Sequence, residues 1–246
     1  MMRMGPGLKT IAGAPYSAVE VTERSQTLPN GNVITQKNQS NVSRDGMGRV
    51  RMETTLSVRR GPGQSQANGT AMAQTPRTVI TIHDPVAGVS RELDTQTKVA
   101  HEQPLPGFRG GNGAAPGART GRGPNASAVR TPVADPNVVT ESLAMQTING
   151  VQATGTRVTR TIPAGEIGNA QPIQIIHETW QSVDLKVPVM VKNVDPRTGT
   201  TTTQLTNITR SEPDPGLFQA PSDYTVTRGR GPGGMRGPQG RGAIIN

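Results

Sequence analysis

The chain has 246 residues, among them 30 Gly and 21 Pro, and a formal net charge of +9. Two Phe, two Tyr and one Trp leave little with which to fill a large core, so the composition predicts one modest sheet with disordered segments. The absence of Cys excludes disulfides, thiol catalysis and Cys-ligated zinc, and no apolar run approaches the roughly 18 residues that a membrane-spanning helix needs.

The excess positive charge lies in two Arg-Gly segments. Residues 104–134 contain four Arg and no acidic residue, and so do residues 227–246. The rest of the chain is close to neutral, so we expect no basic face on the folded part.

Residues 1–15 are Gly-rich and lack both a helical pattern and the apolar core of a signal peptide. We predict a disordered N-terminal segment there. The first half of a β-sheet domain follows over residues 16–102. Its clearest signals are an Asn30-Gly31 hairpin turn and a strand from Val50 in which apolar and polar residues alternate.

Residues 103–137 are dominated by Gly, Pro, Ala and Arg. Such a segment cannot bury enough apolar surface to offset its ordering entropy, so we predict a disordered insertion. The second half of the sheet domain spans 138–226, and a disordered Arg/Gly tail spans 227–246. Between Val151 and Ile162 the apolar residues change parity across Gly155, which predicts a bulge at that glycine.

Residues 172–208 contain the only Trp and the densest run of β-branched residues, so they are predicted to form the centre of the sheet. Pro188 is predicted at a strand start or an edge because it lacks an N–H. A turn at 195–199 leads into a Thr-rich strand. Farther on, Leu217 and Phe218 are predicted to pack under the sheet. The whole pattern predicts an all-β fold, a strongly curved antiparallel sheet or half-barrel of about ten strands.

The three histidines, His83, His101 and His177, fall on different predicted strands without the spacing typical of metal sites. His83 precedes Asp84 and His177 precedes Glu178, but adjacent residues on a strand point to opposite faces, so neither pair can act together as an acid and a base. We therefore interpret the histidines as incidental surface or rim residues. We predict no catalytic residue, no metal site, no cofactor and no enzymatic activity.

Several short motifs carry a resemblance to known proteins. They are Gly13–Ala18, Leu28–Asn32, Arg44–Arg49, Asp84–Gly88, Glu212–Pro215 and Pro221–Tyr224. Together they resemble an uncharacterised family of bacterial envelope β-proteins. More remotely, the Asn-Gly hairpin, the Trp strand and the terminal F-x-x-P-x-x-Y pattern resemble the half-barrel of the lipoprotein-carrier superfamily, the LolA, LolB and RseB types.

The resemblance implies an exported protein that is periplasmic or extracellular. It also implies a half-barrel that helices close over an acyl chain, although the sequence itself has no helical segment. On this basis a concave apolar face is expected to hold an acyl chain or a segment of an envelope protein. The residues expected on that face are Val50, Met52, Leu56, Ile175, Trp180 and Val189. The alternative interpretation is that these residues form the core of the sheet.

Two other functions remain open from the sequence. Exposed sheet edges could pair with further copies, which would make the protein a structural or adhesive subunit of a surface assembly. The Arg-Gly segments could bind polyanions, but nucleic acid is disfavoured because only Phe108 interleaves the arginines. The candidate polyanion contacts are Arg109, Arg119, Arg122, Arg228, Arg230, Arg236 and Arg241.

Overall fold

The computed structural model describes residues 10–56, 77–105 and 135–229, without the side chain of Leu56. These residues form twelve β-strands and one short 3-10 helix. The strands are β1 (Tyr16–Thr27), β2 (Val33–Arg44), β3 (Val50–Leu56), β4 (Arg77–Asp84), β5 (Val89–Asp94), β6 (Val99–Pro104), β7 (Val138–Ile148), β8 (Val151–Ile162), β9 (Ile173–Ser182), β10 (Pro188–Asp195), β11 (Gly199–Thr209) and β12 (Thr225–Arg228). The 3-10 helix spans Pro215–Phe218. The all-β prediction is confirmed, with twelve strands where about ten were expected.

All twelve strands belong to one open sheet in the order β12-β6-β5-β4-β3-β2-β1-β11-β10-β9-β8-β7. Strands β1 to β6 form one meander and β7 to β11 form another. The two meanders meet where β1 pairs antiparallel with β11. Every strand pair is antiparallel except that of β12 with β6, which is parallel. The predicted curved antiparallel sheet or half-barrel is therefore confirmed, and among the described residues β12 and β7 form its edges.

The turns follow local sequence chemistry. Asn149 and Gly150 both have positive φ, 48° and 84°, which matches the twist of a two-residue hairpin. Gly199 has φ of 95°, and a Cβ there would lie within 2.1 Å of the Ser25 carbonyl oxygen, so only glycine fits. Pro188 begins β10, as predicted.

Two apolar clusters stabilise the sheet, and at strands β3 and β4 they lie on opposite faces. Met52 of β3 lies opposite Thr81 of β4, so the adjacent Ile80 and Ile82 project from the other face. The first cluster consists of Tyr16, Ala18, Val42, Val151, Ala153, Trp180, Leu185, Val189 and Leu205, with Met52 packed against it. The second consists of Ile80, Ile82, Leu93, Ala100 and Phe218.

After β11 the chain crosses the sheet. This segment, residues 210–224, is called the strap here and covers the second cluster. The Glu212 carboxylate accepts hydrogen bonds from the Gly46 N–H at 2.9 and 3.0 Å. Phe218 belongs to the strap and is fully buried against the sheet, as predicted. The prediction for Leu217 is wrong, because its side chain is 37% exposed. The 3-10 turn explains the difference, since consecutive side chains of a helical turn point in different directions.

The bulge predicted at Gly155 is also wrong. Strand β8 pairs with β9 without interruption from Ala153 to Ile162. The irregularity lies in the neighbouring strand β7, between Leu143 and Gln146. Gly155 instead leaves room for the Trp180 ring on the adjacent strand.

Some ordered residues fall within the segments that were predicted to be disordered. Within the predicted N-terminal segment, the Gly13 N–H donates to the Gly46 carbonyl at 2.9 Å. The predicted insertion begins inside β6, which ends at Pro104. The predicted tail begins inside β12, which ends at Arg228. The rest of the predicted insertion, apart from residues 135–137, lies outside the described residues.

Candidate binding surfaces

Four residues of the expected apolar face meet in the first cluster. Trp180 is 6% exposed and Val189 is fully buried. Val50 and Met52 are half-buried against them. The Trp180 indole Nε1–H donates to Glu178 Oε1 at 3.2 Å, so the polar atom of the ring is satisfied. These side chains form a packed core in the described chain.

The other two expected residues do not join this cluster. Ile175 lies five positions before Trp180 in an uninterrupted part of β9, so alternation places the two side chains on opposite faces. Only the backbone of Leu56 is described, at the end of β3. Four of the six residues expected on the apolar face therefore lie together in the structure.

A group of buried polar side chains borders the first cluster. The Arg44 guanidinium lies 4.9 Å from the centroid of the Tyr16 ring and donates to the carbonyl of Ala14, at 2.6 Å from Nη2. Burial raises the pKa of Tyr16 and lowers that of Arg44. Burial also raises the pKa of Glu20, whose side chain is 6% exposed. Arg44 also donates to the Leu185 carbonyl, so this group ties the start of β1 to the β9–β10 turn.

The histidines lie on β4, β6 and β9, and each contacts a polar neighbour. His83 Nδ1 lies 3.1 Å from Ser90 Oγ, and burial lowers the pKa of His83. His177 Nδ1 lies 2.6 Å from Asn193 Oδ1. His101 Nδ1 lies 2.8 Å from Thr227 Oγ1. Within the three described ranges, no group of three or more His, Asp or Glu side chains could hold a metal ion.

Only one of the candidate polyanion contacts falls in the described chain. Arg228 is 84% exposed, and its Nε lies 3.2 Å from Glu102 Oε1 on β6. The other candidates lie outside the described residues. They are Arg109, Arg119, Arg122, Arg230, Arg236 and Arg241.

Strand β7 forms a long edge of the sheet. It has 11 residues, pairs with β8 on one side, and has no partner strand among the described residues on the other. Val139 is 56% exposed and Met145 is 59% exposed. A long exposed edge with apolar side chains is the kind of surface to which another strand can add.

The hydrogen-bond pattern identifies which backbone groups of β7 face outward. The Thr161 N–H donates to the Asn137 carbonyl at 2.8 Å. These two residues continue the register of β7 and β8 by one position, so they form a hydrogen-bonded pair of that ladder. Such pairs alternate along an antiparallel ladder. The N–H and C=O groups of Thr140 and Ser142 therefore point away from β8. Neither the sequence pattern nor the turn signals indicate that β7 ends the sheet, because strand order depends on distant pairing.

No helix among the described residues is long and apolar enough to cross a membrane.

The sequence matches no protein-family model, and no curated protein matches it significantly. Among solved structures, the chain is similar to a Pseudomonas aeruginosa MucA/MucB complex, with 13% identity and a TM-score of 0.41 over 87% of this chain. The chain spans 58% of the length of that matched chain.

Two further solved structures are similar to the chain. One is a LolA superfamily protein from Nitrosomonas europaea, with 9% identity, a TM-score of 0.30, and coverage of 85% of this chain and 91% of that one. The other, from Vibrio parahaemolyticus, is described as an outer membrane lipoprotein-sorting protein domain and gives 9% identity, a TM-score of 0.28, and coverage of 84% and 90%.

Proposed function

We propose that the protein is a non-enzymatic binding protein of the bacterial envelope, which takes an extended segment of a protein partner as an added strand along β7. The observation that carries this proposal is the outer side of β7, where the backbone groups of Thr140 and Ser142 face outward. Added strands bind through such backbone groups, while alternate side chains select the sequence. The envelope location, periplasmic or extracellular, rests on the sequence resemblance.

The side chains along β7 specify the chemistry of the partner segment. Val139 and Glu141 are both exposed and lie on the same face of the strand, two residues apart. Arg157 lies opposite Glu141 on β8, but its guanidinium is paired with Glu178 at 3.2 Å. No described residue forms an ion pair with Glu141, so its carboxylate is available to a ligand. We expect a segment with an apolar residue opposite Val139 and a basic residue opposite Glu141.

An acyl chain is the other cargo that the sequence resemblance implies. The burial of Trp180 and Val189 favours the protein segment over the acyl chain, because a buried, packed side chain offers no surface to a ligand.

The test compares Thr140→Pro with Thr140→Ala in the full chain, purified from the envelope of its own cells. The proline removes an outward N–H and leaves the ladder to β8 intact, whereas the alanine keeps that N–H. Native mass spectrometry should find a polypeptide bound to the wild type and to Thr140→Ala, and lost from Thr140→Pro. Hydrogen exchange should find the amides of Thr140 and Ser142 protected in the bound protein.

Three outcomes would contradict the proposal. Equal retention of the partner by Thr140→Pro would place the binding site away from the edge. A co-purifying lipid without a polypeptide would favour an acyl-chain carrier. A second copy of the chain as the only partner would favour a subunit of a surface assembly.

A further inference from the structure

A groove lies on one face of the sheet, at the junction of the two meanders. The proposed function does not involve it. The groove has a volume of about 190 Å³ and is formed by alternate residues of β1 and β11. Its lining residues are Val21, Glu23, Ser25, Thr200, Thr202 and Gln204. The register of the two strands places Val21 opposite Gln204, and Glu23 opposite Thr202, so all six side chains project from the same face.

The polar side chains in this groove are unpartnered in the part of the chain that the structure describes. Within residues 10–56, 77–105 and 135–229, none of the five polar lining side chains makes a hydrogen bond or an ion pair to another residue. The opposite face of the same two strands differs, because there Thr22 Oγ1 and Thr203 Oγ1 lie 3.0 Å apart and bond to each other. Cross-strand hydroxyl pairs also occur elsewhere in the sheet, as between Ser40 and Thr54 at 2.8 Å.

The lining chemistry narrows the class of ligand. Three hydroxyls and one carboxamide can each donate and accept, whereas an acyl chain would leave all of them unsatisfied. No Lys or Arg is among the lining residues, although Lys37 of β2 and Lys192 of β10 flank the groove opposite Glu23 and Thr202. Within the groove itself, Glu23 repels an anion. One carboxylate is too little for Ca²⁺, which takes about six to eight oxygen ligands. A neutral polyhydroxyl compound fits these groups best.

The size of the groove indicates one unit of a longer ligand. Sites for drug-sized ligands begin at roughly 300 Å³, and this groove is smaller. A single sugar ring would occupy the groove, and the rest of the polysaccharide would continue over the open sheet. We infer that the groove between β1 and β11 is a binding site for one ring of a neutral polysaccharide, distinct from the β7 edge.

The test is titration of the isotope-labelled full chain with cellohexaose, maltohexaose and chitohexaose, followed by NMR. At least one of them should give saturable amide shifts at Thr200, Thr202 and Gln204, with a dissociation constant below about 10 mM. Thr202→Val replaces a lining hydroxyl with a methyl group of the same shape and should weaken binding about threefold to tenfold. Thr201→Val makes the same change on the opposite face of β11 and should leave binding within about twofold.

Ser25→Ala removes a second lining hydroxyl from the other strand and should also weaken binding. The inference is overturned if no oligosaccharide gives saturable shifts at these residues, or if the shifts map to another part of the sheet. It is also overturned if Thr201→Val weakens binding as much as Thr202→Val does.

Discussion

Gly155 lies directly opposite Trp180 on paired strands, and a Cβ at Gly155 would come within 2.8 Å of two atoms of the indole ring. Leu143 approaches the same point from the other side, at 2.9 Å. The ring therefore fills the space that a side chain would occupy on the neighbouring strand. This contact explains a glycine in the middle of β8, where glycine otherwise weakens a strand.

Gly155→Ala should destabilise the protein by about 1 to 3 kcal/mol through overpacking. Denaturant unfolding measures this change. In the Trp180→Ala background the same substitution should cost less, because the ring is gone and only the close contact with Leu143 remains. An equal cost in both backgrounds would mean that the indole ring is not the obstacle.

Trp180→Ala alone should destabilise the protein by about 3 to 5 kcal/mol, the range for deleting a buried aromatic side chain. Val183→Ala offers a control in the turn after β9, where Val183 is 50% exposed, and its effect should stay within about 0.5 kcal/mol. Similar losses for the two variants would show that Trp180 is not part of the core in solution.

Phe218→Ala should expose the second cluster and cost about 3 to 5 kcal/mol. The Arg49 guanidinium lies 5.0 Å from the centroid of the Phe218 ring, so the substitution also removes a cation–π contact. The control is Leu217→Ala, one residue earlier in the strap, and thermal unfolding distinguishes the two. If Leu217→Ala were the more damaging variant, the strap would be turned differently from the arrangement described here.

Glu20→Gln should make the protein more stable at pH 7 to 8. Burial raises the pKa of Glu20 above its ordinary value of 4.5, so the ionised carboxylate is disfavoured in the folded state. The wild type therefore holds its full stability below the unfolded-state pKa and loses part of it as the pH rises through the folded-state pKa. The amide of Gln remains neutral throughout.

The measurement is denaturant unfolding of wild type and Glu20→Gln between pH 4 and pH 8. The gap between the two proteins should widen as the pH rises. Glu23→Gln, on the opposite face of β1 and exposed, is the matched control. A constant gap across the range would rule out a proton-linked effect of Glu20.

Local chemistry made most strands and turns predictable. Asn149 and Gly150 suit only a few backbone conformations, so a turn and its two flanking strands can be predicted from a dozen residues. Period-two alternation likewise assigns a face within a strand. Applied within β9, the same alternation separates Ile175 from Trp180, although both residues are among those expected on one apolar face.

Pairing between distant strands was not predictable in the same way. The groove requires Glu23 to lie opposite Thr202, and nothing local to either residue encodes that pairing. The open edge at β7 depends on the order of all twelve strands. The alternation of Ile80 and Ile82 along β4 fits a buried face, but nothing local to β4 encodes that the strap covers that face.

The pairing of β1 with β11 also has a consequence for synthesis of the chain. Thr206 Oγ1 donates to the Val19 carbonyl across a sequence separation of 187 residues. Strand β1 can pair with β2 as soon as the first hairpin is made, but its other side stays open until β11 leaves the ribosome. Such late, long-range closure slows folding and leaves an edge exposed to other nascent chains. A chaperone that covers β1 during this interval would therefore act on the step at which the two meanders become one sheet.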